Sequence, residues 1–218
     1  MNNPSPQNAT PSRSTAGLYI VAAPSGGGKT SLIKALLEKE NRVSLSISYT
    51  TRNPRPGEKD GVHYHFVDDA AFVDLIAKNA FLEHAEVFGH RYGTGREAVK
   101  KLLGSGFNVL LDIDWQGARQ VRKSSPDCCT IFILPPSLVT LRNRLGRRGQ
   151  DSDDVIEERM REARAEISHS QEFDFLIINN NFDEALADLQ SIIRHRKMQR
   201  PARQNLYDDL VAELQENG

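Results

Sequence analysis

Short, nearly unbroken apolar runs recur along the chain: LYIVAA (18–23), FNVLLDID (107–114), CCTIFIL (128–134) and FDFLIINN (173–180). Each is too short for a helix of ordinary length and rich in strand formers, so each predicts a buried strand. Segments with helical spacing follow them: KTSLIKALLEKE (29–40), WQGARQVRKSS (115–125), PPSLVTLRNRLGRRGQ (135–150) and FDEALADLQSIIRHRKMQ (182–199). Buried strands alternating with helices predict an α/β fold with a parallel sheet covered on both faces. DSDDVIEERMREARAEISHSQ (151–171) predicts a further long, charged helix, and NLYDDLVAELQEN (205–217) a final one.

From about Ser44 to Thr94 the rhythm changes. VSLSISYTT (43–51) and VHYHFV (62–67) alternate apolar with polar, as half-buried strands do, around the turn-rich loop TRNPRPGEKDG (51–61). DDAAFVDLIAKN (68–79) reads as a helix opened by an Asp cap, and AFLEHAEVFGHRYGT (80–94) as short strands around Gly89 and Gly93. REAVKKLLGSG (96–106) returns to helix, closed by Gly104 or Gly106. The block predicts an insertion at about 48–97 with its own small mixed sheet, inside a domain spanning 18–197.

Composition narrows the class. The chain has 218 residues, 39% of them hydrophobic, enough for one sizeable core. Net charge is −1, which gives no global argument for nucleic acid or membrane as a partner. Any anion site must come from local clusters of Arg and Lys. The adjacent Cys128 and Cys129 should point to opposite faces of a strand, a poor arrangement for a metal and a natural one for packing. Residues 1–17 are rich in Pro, Ser, Thr and Asn without an apolar stretch. They predict a disordered tail rather than a targeting signal. With no apolar run of membrane-spanning length, a soluble cytoplasmic protein is expected.

The first strand leads into Ala23-Pro24-Ser25-Gly26-Gly27-Gly28-Lys29-Thr30, which follows the phosphate-loop pattern G-x-x-x-x-G-K-[ST] except for Ala23. Glycines let successive N–H groups converge on phosphate oxygens, and the following helix adds its positive end. Lys29 can reach the β and γ phosphates of a nucleoside triphosphate, and the Thr30 hydroxyl can ligate Mg²⁺. Alanine at the first position is compatible with the turn if φ there is negative. Asp112 ends a predicted parallel strand, where ligands bind in open α/β sheets, and suits an acid that organises Mg²⁺ through water. Asp114, two residues on, shares that face or caps the next helix.

A second anion site is written into the insertion. Arg52 and Arg55 stand on a loop stiffened by Pro54 and Pro56, and two guanidinium forks suit a phosphate dianion. Tyr64 and Tyr92 offer further hydroxyl donors. At this point the chain resembles the guanylate kinases, through APSGGGKT, SYTTRNPRPGEKDGVHYHF, FLEHAEVFGHRYGT, LDIDWQGA, FILPPS, RLGRRGQD and IINNNFDEA in order.

The resemblance implies a nucleoside monophosphate kinase fold and transfer of the ATP γ-phosphoryl group to GMP or dGMP, with Mg²⁺. It places Arg52, Arg55, Tyr64 and Tyr92 on the GMP phosphate, and Ser48, Glu83, Thr94 and Asp114 around guanine. A carboxylate such as Glu83 can accept both N1–H and N2–H of guanine, whereas adenine would leave it unpaired. The resemblance also implies a lid at about 143–160 whose Arg144, Arg148 and Arg159 close over the phosphates. Arg147 fits an ordinary charged helix equally well. Asn179 would belong to the adenine-side wall, where Asn179-Asn180-Asn181 departs from the family's Asn followed by two acids.

A ribose-phosphate kinase would share the cradle, but Glu83 and the two tyrosines favour a nucleotide acceptor. A binding module without catalysis would not need Lys29, Thr30, Asp112 and the lid arginines together. A general ATPase or GTPase switch would not explain the acceptor block. The C-terminal segment can pack on its own domain or on a partner, so a homo-oligomer stays open.

Overall fold

A computed structural model of the protein describes residues 16–87, 89–146 and 152–198. In chain order the first elements are β1 (Leu18–Ala22), α1 (Lys29–Lys39), β2 (Val43–Leu45), β3 (Ser48–Thr50), β4 (His65–Phe66) and α2 (Asp69–Ala77). Then come β5 (Phe81–Val87), β6 (His90–Gly95), α3 (Arg96–Gly104), β7 (Asn108–Asp112) and α4 (Trp115–Ser124). The chain continues through β8 (Cys129–Leu134), α5 (Leu138–Gly146), α6 (Asp153–Ser168), β9 (Phe175–Ile178) and α7 (Phe182–Met198). A 3-10 turn, Ser170–Glu172, follows α6. The expected tail up to residue 15, the lid segment 147–151 with Arg147 and Arg148, and the final predicted helix lie outside the described residues.

The main sheet has the order β2-β7-β1-β8-β9 and is parallel throughout. Alternation along β1 divides the core in two. Tyr19 and Val21 pack with Leu32, Leu36, Leu186 and Leu189 of α1 and α7. Leu18 and Ile20 face the other way, toward Val99 of α3 and Val121 of α4. Cys129 belongs to the first cluster and Cys128 to the second, so the adjacent thiols part across the sheet as their spacing requires. At the edge, β9 buries Ile177 and leaves Leu176 and Ile178 exposed.

The insertion builds a second, mixed sheet in the order β4-β3-β6-β5. Three predicted elements differ from what is observed. The single strand expected over 43–51 serves two sheets. After Ser46 donates its N–H to Leu110 O at 3.0 Å, pairing with β7 ends and the chain crosses to the small sheet. The strand expected over 62–67 shrinks to β4, because residues 61–63 form a turn closed by Gly61 N–H on Tyr64 O. The short strands expected around Gly93 are one hairpin, β5–β6, that turns at Gly89 with φ of 72°. Behind Gly93 sit Phe72 and Phe81, 4.6 Å apart, where a Cβ would meet Phe81 at 2.9 Å. That face is packed on α2, and the opposite face carries the polar residues of the site. No described helix is long and apolar enough to cross a membrane.

Candidate active site

The glycine loop joins β1 to α1 at the C-terminal edge of the parallel sheet. Gly26 and Gly28 have φ of 85° and 94°, a region that L side chains rarely enter. Space counts against substitution as well. A Cβ on Gly26 would lie 3.0 Å from Leu141 and Leu145 of α5, and one on Gly28 would collide with the Asn179 amide. Asn79 is the one non-glycine with positive φ among the described residues, so Ala23 meets the condition its position sets. Asn179 Nδ2 donates to Gly27 O at 2.9 Å, and Arg144 Nη2 donates to Asn179 O at 2.9 Å. The residue expected on the adenine side thus also braces the loop. Arg144 Nη1 is buried without a hydrogen-bond partner beside a cavity of about 340 Å³. Gly26, Gly28, Ser31, Asn179, Asn180 and Phe182 complete its lining. Asn181 does something else: its Oδ1 accepts from the N–H groups of Asp183 and Glu184, capping α7.

Lys29 Nζ lies 2.6 Å from Asp112 Oδ1. Burial alone would push this ammonium down. The bonded Asp112, with Glu166 and Tyr64 at longer range, outweighs burial and holds Lys29 above its ordinary value. Ser25 is gripped from α6 at two points. Arg159 Nη2 donates to its hydroxyl at 2.8 Å, and its N–H donates to Glu166 Oε2 at 3.1 Å. Thr30 is exposed in the first turn of α1.

Across the cleft, Arg52 donates from Nη2 to both oxygens of Glu58, at 2.9 and 3.0 Å. Glu58 also accepts the Arg55 N–H at 2.7 Å, while the Arg55 residue as a whole is exposed. The hydrogen bond from Arg52 holds the Glu58 carboxyl below its ordinary value. The Arg52 guanidinium also stands 5.5 Å from the centre of the Tyr64 ring, which meets Tyr92 edge-on at 6.0 Å. Burial pushes the Tyr64 hydroxyl up, aided by Asp112 and Tyr92 and opposed by Lys29 and Arg52. Tyr64 therefore feels the Lys29 and Asp112 charges on one side and the Arg52 charge on the other.

Three further predicted residues fall in one row. Ser48 pairs with Thr94, and Thr94 with Glu83, so β3, β6 and β5 set them side by side. Thr94 Oγ1 donates to Glu83 Oε1 at 2.6 Å. Glu83 is 4% exposed, and burial pushes its carboxyl from an ordinary 4.5 up to about 7. The Thr94 hydrogen bond opposes this rise and the charge of Asp114 adds to it. Asp114 caps α4, its Oδ1 accepting the Gly117 N–H at 2.8 Å, so the capping reading of that acid holds while it also faces Glu83.

Sequence reasoning missed Gly117, Gln120, Glu58 and Glu166. A Cβ on Gly117 would stand 2.7 Å from Glu83 Oε2. Gln120 exchanges two hydrogen bonds with the His84 backbone, fixing β5 to α4 beside Glu83. Only Glu58 had a local signal, three residues after Arg55. The others act across large sequence separations.

Comparison with known proteins points the same way. A guanylate kinase family model matches residues 15–196. The chain is 59% identical over 182 residues to a guanylate kinase of Alkalilimnicola ehrlichii, covering 82% of this chain and 90% of that protein. It is 52% identical over 199 residues to the Escherichia coli guanylate kinase, covering 90% and 96%. The crystal structure of guanylate kinase from Anaplasma phagocytophilum superposes with a TM-score of 0.72 at 34% identity, over 86% of this chain and 89% of that one. The chain belongs to the guanylate kinase family.

Proposed function

We propose that the chain transfers the γ-phosphoryl group of ATP to the phosphate of GMP, and of dGMP, giving ADP and the nucleoside diphosphate. The observation that carries the reading is the buried Glu83, aligned with Thr94 and Ser48 beside Asp114. A carboxylate walled off from water accepts the two donors on the guanine edge and is left unpaired by adenine, which makes rejection of AMP costly to overcome.

The donor phosphates belong on the loop from Ala23 to Thr30 and the acceptor phosphate on Arg52, Arg55, Tyr64 and Tyr92. Charge spreads over the moving phosphoryl group in the transition state, so positioning and positive charge do most of the work. Lys29, Arg52, Arg144 and Arg159 supply that charge from both sides. Arg148 joins them in the proposal by its place in the lid. The acceptor oxygen is already largely ionised near neutral pH and needs no dedicated base. The proposed division keeps a core over 18–197, the acceptor insertion at about 48–97 and the lid at about 143–160. Closure of the last two excludes water, the competing acceptor.

The proposed metal is Mg²⁺. Oxygen donors suit a hard cation, and the part-exposed Asp112 carboxylate beside the loop fits a role through water, with the Thr30 hydroxyl as direct ligand. Among the described residues there is no cluster of three or more His, Cys, Asp or Glu, and an ion that draws most of its ligands from phosphate and water requires none. When bound, it neutralises charge on the β and γ phosphates. The cytoplasm, where ATP and GMP meet, is the proposed place of action.

The test is ADP release by the purified chain with ATP and each of GMP, dGMP, AMP, CMP, UMP and ribose phosphates. GMP and dGMP should stimulate release strongly over a low basal ATPase rate. Absence of GMP stimulation overturns the proposal.

A further inference from the structure

The α6 helix reaches the glycine loop with two residues seven apart, Arg159 and Glu166, which share a face of the helix. An arginine near a phosphate site explains itself. A glutamate does not: a negative charge beside a triphosphate site opposes binding, so its presence calls for a compensating contribution. That contribution is visible in the hydrogen bond from Ser25 N–H to Glu166 Oε2 at 3.1 Å.

The helix holding Glu166 is fixed at its C-terminal end. Just beyond it, His169 stacks on Trp115 of α4 with ring centres 3.6 Å apart. Glu172 accepts from both Arg119 Nε and Nη2 at 2.6 Å, tying the same end of α6 to α4 a second time. Glu166 lies less than one turn from this anchor, whereas Arg159 lies about two turns farther toward the lid. The two contacts on Ser25 thus come from different parts of α6. One belongs to the anchored base and the other to the N-terminal half of the helix.

We propose that Glu166 is a positioning residue of the glycine loop. Its carboxylate accepts the Ser25 N–H and, from the anchored end of α6, fixes the first turn of the loop in the shape that receives the donor triphosphate. The turn that carries Ser25 is closed by Gly27 N–H on Pro24 O at 2.8 Å, and Asn179 holds its far end at Gly27 O. Glu166 supplies the matching restraint at Ser25, inside that turn. Burial pushes the Glu166 carboxyl above its ordinary value; the Ser25 N–H and Lys29 oppose the rise, and the charges of Asp114 and Glu162 add to it. The role is one of hydrogen-bond acceptance, so an amide oxygen can perform it without the opposing charge.

This inference rests on reading the glycine loop as the ATP cradle, and its test separates the two. ATP binding is measured by calorimetry without GMP, alongside the KM for GMP, for wild type, Glu166→Gln and Glu166→Ala. Losing an acceptor for a part-buried N–H should weaken ATP binding by Glu166→Ala about tenfold. Glu166→Gln should bind ATP as tightly as wild type or more tightly, and both variants should keep the GMP KM within about twofold, since among the described residues Glu166 makes no hydrogen bond to that pocket and only the charge of Asp114 reaches it. If Glu166→Ala does not fold, Glu166→Met, of similar length and without an acceptor, takes its place. Unchanged ATP affinity in the variant lacking an acceptor overturns the inference. So does a Gln variant as impaired as Ala, or an equal rise in the GMP KM. A wild-type chain that binds ATP but is not stimulated by GMP would instead remove the proposed reaction and leave this inference standing.

Discussion

Replacing Glu83 by Gln should make the protein more stable and a poorer GMP kinase. The carboxyl ionises at about 7 in the fold against an ordinary 4.5, chiefly because it is buried. Between those values the folded state holds a proton that the unfolded chain has released. Stability therefore falls as pH rises through this window, and the loss is complete above about 7. At 1.36 kcal/mol for each pH unit of difference, the ionised carboxylate costs the fold about 3 kcal/mol at pH 8. A glutamine of the same shape can accept the Thr94 hydroxyl without carrying the charge. Urea unfolding followed by circular dichroism and by the fluorescence of Trp115, the single tryptophan, measures the difference. Glu83→Gln should exceed wild type by about 3 kcal/mol at pH 8, with the gap narrowed to about 1 kcal/mol at pH 5. A gap of the same size at both pH values, or a variant less stable than wild type at pH 8, would refute the assignment of a buried, reluctantly ionised carboxylate. In the same variant the GMP KM should rise far more than the ATP dissociation constant. Equal loss of both would remove Glu83 from the guanine pocket.

Lys29→Ala should lower kcat by at least about a hundredfold while changing stability by no more than about 1 kcal/mol, because its partner Asp112 is part-exposed. Steady-state kinetics and urea unfolding check the two halves. Gly117→Ala removes a helix glycine, which ordinarily gains about 1 kcal/mol, but its methyl would stand 2.7 Å from Glu83 Oε2. The GMP KM should rise on the order of tenfold or more with ATP affinity unchanged, and an unaltered GMP KM would detach Gly117 from the base site. Asn179→Ala strips the buried Gly27 carbonyl of its donor, so unfolding experiments should show a loss of about 1–3 kcal/mol. Its ATP affinity should fall more than its affinity for GMP.

Most of the parallel core was legible because burial on both faces leaves unbroken apolar runs, as in VLL of β7 and TIFIL of β8. The insertion was harder, for a definite reason. A strand pattern states which face is buried and not which sheet receives it, so 43–51 read as one strand although Ser46 ends its pairing with β7. The proposed phosphate grips stand out in the sequence because their chemistry is local: a glycine run ending in Lys29-Thr30, and arginines between prolines. Asn181 looked like a departure at the adenine wall, yet its side chain caps α7, a role that Asn and Asp share. Glu166 gave no signal at all. Its meaning depends on a contact to Ser25, 141 residues away, that only the packing of α6 creates.

The same packing explains why base recognition, more than phosphate grip, sets the identity of the acceptor. Two of the groups proposed to meet phosphate are already engaged by carboxylates of the protein: Lys29 by Asp112 and Arg52 by Glu58. Wherever a phosphate takes over such a group, its net gain is its attraction minus the internal contact it displaces. That exchange keeps the basic groups ordered and moderates the affinity for any phosphate-bearing molecule. It also makes the grip indifferent to the base, since every nucleoside monophosphate brings the same dianion. Glu83 is different. It is buried, bonded to Thr94, and held only partly ionised near neutral pH, so it stands to gain from a ligand that offers two N–H donors in a dry site. Guanine does so and adenine does not. Discrimination between the two should therefore weaken below pH 7, as protonation turns the carboxylate from a double acceptor into a donor and acceptor.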